Sequence, residues 1–168
     1  MQLKTGRAAP TVGKDSGTMT GTIMQDGYCF EDLAIGMQAC SGKTITEADI
    51  LLFAAVSTDM NPVHLNEELA SKSRFRTRIA HGMLSAGLIS AVLGTRLPGA
   101  GTIYLAQTLN FRRPVKIGDT VTATVEVIAL DEAQKRVTLR TVCTVAGKTV
   151  IEGEATVIPR LRAATMDI

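Results

Sequence analysis

Residues 79–94 read IAHGMLSAGLISAVLG, and this stretch decides the fold. It is apolar or small on every side, so we expect a helix that is buried all round and about 24 Å long at about 1.5 Å per residue. Small residues recur four apart along it, a pattern that lets another backbone approach closely; they are Gly82, Ala86, Ser90 and Gly94. The stretch therefore predicts a central helix that the rest of the domain surrounds.

After residues 97–101 (LPGAG), a turn by composition, the period changes from helical to two. Four alternating runs follow, at residues 103–111, 121–127, 137–145 and 151–157, each with one apolar face. Turn-forming segments separate them, which predicts a four-stranded antiparallel meander. A sheet of this kind curled around one buried helix is an α+β arrangement, the hot-dog fold. Its open edges and incompletely covered helix predict pairing into a homodimer or a larger homo-oligomer.

The region before the central helix predicts one strand and two short helices. Residues 37–45 form a candidate first strand, and Thr46 three residues before Asp49 is typical of a capped helix start, with the helix ending near residue 57. Pro62 prevents this helix from continuing, and Asn66 is the predicted cap of a second short helix. Asp59 and His64 are thereby predicted to lie on a connecting turn.

Length and composition limit the classes of protein to consider. A chain of 168 residues is expected to form one domain, which we assign to residues 26–160, with a flexible arm at residues 1–25 and a tail at residues 161–168. A net charge of +2 is too small to indicate nucleic-acid binding. No apolar run of about 18 residues predicts a membrane span, and no signal peptide is recognisable. Three widely spaced cysteines predict neither disulfides nor a zinc site, which favours the cytoplasm.

Only two histidines are present, His64 and His81, and Asp59 lies close to the first. An acid and an imidazole near a predicted helix start make a plausible place to move protons. Other interpretations stay open: Asp59 is also typical of a turn or a helix cap, a lone histidine is often structural, and His81 is as well suited to capping or packing as to substrate contact. The run Gly82–Gly87 misses the Gly-x-Ser-x-Gly nucleophile motif by one residue, so Ser85 is interpreted as a helix-packing residue.

Four motifs resemble those of a known family. They are DMNPVH at residues 59–64, AHGM at residues 80–83, LPG at residues 97–99 and FRRPVKIGD at residues 111–119. Together they are similar to the MaoC-like dehydratases, notably the (R)-specific enoyl-CoA hydratases, over residues 28–158. The resemblance implies a dimeric hot-dog enzyme that adds water to a trans-2-enoyl-CoA and gives the (R)-3-hydroxyacyl-CoA, with no metal and no cofactor.

Carried over position by position, the resemblance implies a catalytic pair, Asp59 and His64, and a backbone N–H at Gly82 that meets the thioester oxygen. It also implies supporting residues, namely Asn61, His81 and Ser90. Residues 74–78 (RFRTR) are more basic than is usual for the family, so the candidates for binding the CoA phosphates are Arg74, Arg76, Arg112 and Arg113. Two rival functions remain: a hot-dog acyl-CoA thioesterase, and a non-catalytic acyl-CoA-binding accessory subunit.

Overall fold

A computed structural model of the chain describes residues 27–162. The predicted arm at residues 1–25 and the last six residues of the predicted tail lie outside this range. The elements are a 3-10 turn (Phe30–Asp32), β1 (Gln38–Thr44), α1 (Glu47–Ser57), α2 (Pro62–Leu65), α3 (Glu67–Ser71), α4 (Gly82–Thr95), β2 (Ile103–Gln107), β3 (Asn110–Phe111), β4 (Thr120–Asp131), β5 (Arg136–Val145) and β6 (Lys148–Ile158). Within residues 27–162, no helix is both long enough and apolar enough to cross a membrane.

One antiparallel sheet contains all six strands, in the order β1-β4-β5-β6-β2, with β3 also paired to β6. The predicted meander holds for β4, β5 and β6 but is wrong for the strand before them, because β2 pairs with β6 and β1 takes the place beside β4. The predicted strand at residues 103–111 is also divided in two. Between its halves the Thr108 N–H donates to Glu154 O at 2.9 Å, and the Gln107 side chain donates to Thr108 O at 2.7 Å.

The sheet curls around α4, which confirms the predicted hot-dog arrangement. Helix α4 packs against β1, β2, β4 and β5. The alternate residues of β4 and β5 that face it are fully buried, namely Val121, Ala123, Val125, Val127, Val137, Leu139 and Cys143. Ile89, Val92 and Leu93 bury the opposing face of α4. Each aliphatic side chain of this size contributes about 1.5–3 kcal/mol when fully buried, so the shared core fixes the position of α4.

The prediction that α4 is buried all round is wrong for the described chain. Its outer face is exposed and consists of Met83, Gly87, Ser90, Ala91 and Gly94. The small residues spaced by four do not form one exposed stripe, because Ala86 is buried whereas Gly82, Ser90 and Gly94 are exposed. The sheet covers one side of α4 and leaves the other side bare.

Two of the three helices described before α4 begin at the predicted caps. Thr46 and Asp49 form a capping box at the start of α1, and Asn66 caps α3 through a bond to the Leu69 N–H. Asn61 caps α2, a single helical turn in which Pro62 takes the first position. His64 therefore lies on a helix rather than on the predicted connecting turn, while Asp59 does lie in the connection between α1 and α2.

Candidate active site

A cleft of about 480 Å³ opens where the start of α4 meets the connection between α1 and α2. Its lining includes Phe53, Asp59, His64, His81, Gly82, Ser85, Phe111, Val115 and Ile151, with Arg74, Arg112 and Arg113 among its charged residues. The predicted acid, imidazole and glycine therefore share one cavity. The lining mixes apolar walls with a few polar groups, as is typical of a small-molecule site.

Asp59 is held in place through its backbone and through one carboxylate oxygen. Thr58 ends α1 in the left-handed conformation, with φ 60°, and turns the chain towards the cleft. The Asp59 N–H donates to Ser57 Oγ at 3.2 Å, and the Asn61 N–H donates to Asp59 Oδ1 at 3.2 Å. The side chain is exposed to the cleft, and its second oxygen has no hydrogen-bond partner among the described residues.

His64 is buried and has a defined tautomer. Its Nδ1 lies 2.8 Å from Ile79 O, and because a carbonyl oxygen only accepts, Nδ1 carries the proton. Nε2 is then left as a lone-pair acceptor. The single turn of α2 and the strand-like backbone at Ile79 thus orient the imidazole, and Asn61 contributes by capping α2.

His81 ties the two halves of the site together. It is 1% exposed, and its Nε2–H donates to the backbone oxygen of Asp59 at 3.0 Å, across 22 residues of chain. The ring packs against His64 with centroids 3.9 Å apart and against Phe53 at 4.9 Å. One carboxylate oxygen of Asp59 and one ring nitrogen of each histidine all lie within 4.8 Å of one another. The predicted acid and imidazole therefore converge.

Gly82 is the first residue of α4, so its N–H has no acceptor within the helix. No described residue accepts from this N–H elsewhere, which leaves it available to a ligand at the positive end of the helix. A side chain on this residue would require Phe111 to move, because a Cβ would lie 2.6 Å from Phe111 Cε1 and 2.8 Å from Phe111 Cδ1. The Phe111 ring thus lies directly beside the amide.

The predicted CoA-binding arginines differ in what surrounds them. Arg74 lies over the Phe75 ring at 4.7 Å and forms no ion pair with a described residue. Arg113 donates to Thr149 O at 2.6 Å, and Arg112 forms a salt bridge with Glu152 at 2.6 Å. These three side chains line the cleft.

Two neighbouring arginines stand apart from the cleft. Arg76 is exposed and does not line it. Arg78 forms a salt bridge with Glu47 at 2.6 Å and another with Glu67 at 3.5 Å. Hydrogen bonds from the Arg78 side chain and backbone, respectively, hold the pKa of Glu47 and Glu67 below the ordinary value. Arg78 therefore joins α1 to the segment that precedes α4.

The sequence analysis predicted Ser90 as a site residue and did not predict Ser85. Ser90 is exposed on the outer face of α4 and does not line the cleft, so the structure does not bring it to Asp59 and its supporting role stays a prediction. Ser85 does line the cleft, and its buried Oγ has no hydrogen-bond partner. The spacing of three residues from Gly82 was the available signal, because residues three apart share a helix face.

Known proteins of similar sequence indicate the family of this chain. The MaoC-like domain family matches residues 35–154. An (R)-specific enoyl-CoA hydratase of Rhodospirillum rubrum is 64% identical over 131 residues, covering 78% of this chain and 91% of that protein. A 3-hydroxybutyryl-CoA dehydratase of Methylorubrum extorquens is 49% identical over 136 residues, covering 80% of this chain and 87% of that protein.

A solved structure agrees with these sequence relatives. The unliganded R-hydratase of Pseudomonas aeruginosa superposes with a TM-score of 0.77 at 46% identity, covering 81% of this chain and 88% of that chain. The shared fold, the matched residues and the converging acid and imidazole together establish that the chain belongs to the MaoC-like dehydratase family.

Proposed function

We propose that this protein catalyses the reversible addition of water to a trans-2-enoyl-CoA, giving the (R)-3-hydroxyacyl-CoA, with Asp59 and His64 as the acid-base pair. The activity is that of a hydro-lyase, as the names of the relatives from R. rubrum and M. extorquens state for those proteins. The observation that carries the catalytic assignment is the convergence of Asp59 and His64 within 4.8 Å, inside a cleft that also contains a free amide at Gly82.

The hydrogen bonds of the pair fit the binding of one water molecule. The unpartnered oxygen of Asp59 and Nε2 of His64 are both acceptors, so a water between them donates both of its hydrogens. Such a water has a lone pair free for attack on the β-carbon. As the new C–O bond forms, the water gives one proton to the pair, and the pair, now protonated, delivers a proton to the α-carbon. The reverse sequence dehydrates the hydroxyacyl thioester.

The Gly82 amide supplies the third requirement of the reaction. Electrons displaced from the double bond build negative charge on the thioester carbonyl oxygen, and a hydrogen-bond donor placed there stabilises the transition state. The Gly82 N–H is such a donor, reinforced by the positive end of α4. Removing one donor of this kind costs roughly a hundredfold to a thousandfold in turnover.

The arginines at the cleft are proposed to bind the phosphates of CoA. Arg74 and Arg113 are the favoured pair, because neither forms an ion pair with a described residue. The salt bridge between Arg112 and Glu152 has to break before Arg112 can bind a phosphate. Arg76 remains a candidate from the sequence alone. The Arg74→Ala and Arg113→Ala variants should raise KM for enoyl-CoA and change kcat little, since the phosphates are remote from the reacting carbons.

We further propose that two copies of the chain pair in the cytoplasm. The bare outer face of α4, the unpaired edge of β2 and exposed apolar residues such as Leu52 and Val56 support pairing. Three free cysteines support a reducing compartment. Gly87→Arg places a charge on the outer face of α4, where a Cβ would meet no described atom within 4 Å beyond the neighbouring residues and backbone of the helix. Light scattering should show that this variant is a monomer where the wild-type protein is a dimer.

The test of function is a hydration assay with a panel of enoyl-CoAs and chiral analysis of the product. Loss of enoyl absorbance without release of free thiol is expected; release of thiol instead means that water attacks the carbonyl, as in a thioesterase. Binding without turnover across the panel would identify an accessory subunit.

Variants of the acid-base pair complete the test. Asp59→Asn keeps an oxygen acceptor for the Asn61 N–H, so the loop should stay intact while turnover falls about a hundredfold or more. His64→Ala should cost a similar factor. A variant with near-normal turnover removes its residue from the mechanism, provided that circular dichroism shows a native fold.

A further inference from the structure

Two buried polar atoms in the wall of the cleft have no hydrogen-bond partner. They are His81 Nδ1 and Ser85 Oγ, on residues that are each 1% exposed. A buried polar group without a partner is costly, so native structures rarely retain one without a water or ligand. Both residues are among those that line the same cleft.

The two atoms are complementary in chemistry and related in position. The His81 Nε2–H donates to Asp59 O, so Nδ1 of the neutral ring is a lone-pair acceptor. The Ser85 hydroxyl both donates and accepts. Ser85 follows the helix cap His81 by four residues, a spacing that places side chains on the same face of a helix. No direct hydrogen bond joins them.

We propose that His81 Nδ1 and Ser85 Oγ form a second polar subsite in the cleft, which binds one hydroxyl oxygen. The oxygen donates its hydrogen to His81 Nδ1 and accepts the Ser85 hydroxyl hydrogen. It belongs either to a bound water molecule or to a hydroxyl group on the acyl chain of the substrate. The subsite lies beside the Asp59–His64 pair, because the His81 ring packs against that of His64 at 3.9 Å.

The subsite also gives Ser85 a role in specificity. The lining of the cleft also includes buried apolar residues, among them Val115 and Ile151. An apolar acyl chain that displaces a bound water leaves the Ser85 hydroxyl and His81 Nδ1 without partners. A chain that carries a hydroxyl at this position satisfies both. This part of the inference rests on the proposed enoyl-CoA hydration.

The decisive variant is Ser85→Ala, which removes the hydroxyl and changes the volume little. Thr95→Ala is the matched control, because it removes a hydroxyl from the other end of α4 that already donates to Ala91 O at 2.6 Å. The kinetic probes are crotonyl-CoA and (E)-4-hydroxybut-2-enoyl-CoA. A crystal structure of each unliganded protein shows whether an oxygen lies within about 3.5 Å of both atoms.

Each outcome decides the question. If the subsite binds a substrate hydroxyl, Ser85→Ala should lower kcat/KM for the hydroxylated probe at least fivefold more than for crotonyl-CoA. If it binds water, the wild-type crystal structure should contain that water, Ser85→Ala should lack it, and both probes should lose kcat/KM equally, by at least threefold.

An unchanged kcat/KM for both probes, with no oxygen at the subsite and a higher melting temperature for Ser85→Ala, overturns the proposal, since Ser85 is then an unsatisfied packing residue. An equal loss of kcat/KM for both probes without an oxygen in the wild-type crystal structure overturns it as well. Inactive wild-type protein refutes the proposed hydration instead, and the crystallographic arm still tests the subsite.

Discussion

Gly82→Ala is the substitution that tests the role of the α4 amide most directly, because it leaves every functional side chain and the N–H itself in place. The added Cβ would lie 2.6, 2.8 and 3.3 Å from three atoms of the Phe111 ring. Ordinary carbon contacts are about 3.5–4.0 Å, so the ring or the helix start has to move by about 1 Å. Phe111 is 54% exposed and belongs to a two-residue strand, so we expect its ring to move.

The cost to stability should be small and the cost to catalysis large. Full burial of a phenylalanine contributes about 1.5–3 kcal/mol, and here less than half of the side chain is buried, so the displaced ring loses about 1 kcal/mol at most. For a domain of this size that shifts Tm by about 2–4 °C. In contrast, the added methyl and the displaced ring lie beside the amide, where we expect them to shift a bound thioester. A misplacement of about 1 Å there costs roughly a hundredfold in kcat/KM, equivalent to about 2.7 kcal/mol in the transition state.

The assay is steady-state hydration of crotonyl-CoA, with thermal melting measured in parallel. Gly42→Ala is the control for a glycine replacement, because its Cβ would make an ordinary contact of 3.6 Å with Thr122 Oγ1. Phe111→Ala and the double variant Gly82→Ala with Phe111→Ala complete a double-mutant cycle. If the added methyl lowers kcat/KM by displacing the Phe111 ring, the effects of the two substitutions on kcat/KM are not additive. A Gly82→Ala enzyme with more than half of wild-type kcat/KM would refute the reasoning.

Three further predictions concern stability and thiol chemistry. Gly153→Ala would place a Cβ 1.8 Å from Thr108 O, so we expect a loss of about 2–4 kcal/mol in urea unfolding, and an unchanged midpoint contradicts the strand geometry. Thr58→Gly should raise the free energy of unfolding by up to about 1 kcal/mol in the same assay, because Thr58 holds φ 60° and a β-branched residue is strained there; a lower value shows that this turn is relaxed. Burial raises the pKa of the Cys143 thiol to about 11, so at pH 8 a thiol reagent should label exposed Cys40 first. Because the raised pKa favours the protonated thiol in the folded state, Cys143 stabilises the fold at lower pH, and this contribution is lost as the pH rises from about 8.5 through 11.

Local patterns in the sequence predicted the parts of the fold that depend on neighbouring residues. The capping box of Thr46 and Asp49, the cap at Asn66 and the strand alternation of β4 to β6 follow from short-range hydrogen bonding and from the period of two. The order of strands does not follow from such patterns. Strand β2 pairs with β6, far along the chain, and the periodicity of residues 103–111 is the same whichever partner is chosen.

The sequence identified the reactive groups of the site but not the contacts that orient them. The spacing of Asp59 and His64 identified an acid and an imidazole, but not that Ile79 O fixes the tautomer of His64, which depends on a contact 15 residues away. The sequence analysis predicted Ser90 as a site residue and Ser85 as a packing residue, whereas Ser85 lines the cleft and Ser90 does not. Periodicity alone does not say which face of an apolar helix the sheet covers.

The hydrogen bond from His81 to the Asp59 carbonyl has a consequence for how this enzyme can vary. One residue both precedes the amide at Gly82 and restrains the backbone of the acid, so the reacting end of the cleft moves as a rigid unit. A change that shifts one partner in the chemistry displaces the other as well. Adaptation to new acyl groups is therefore easiest at lining side chains that take no part in this hydrogen bond.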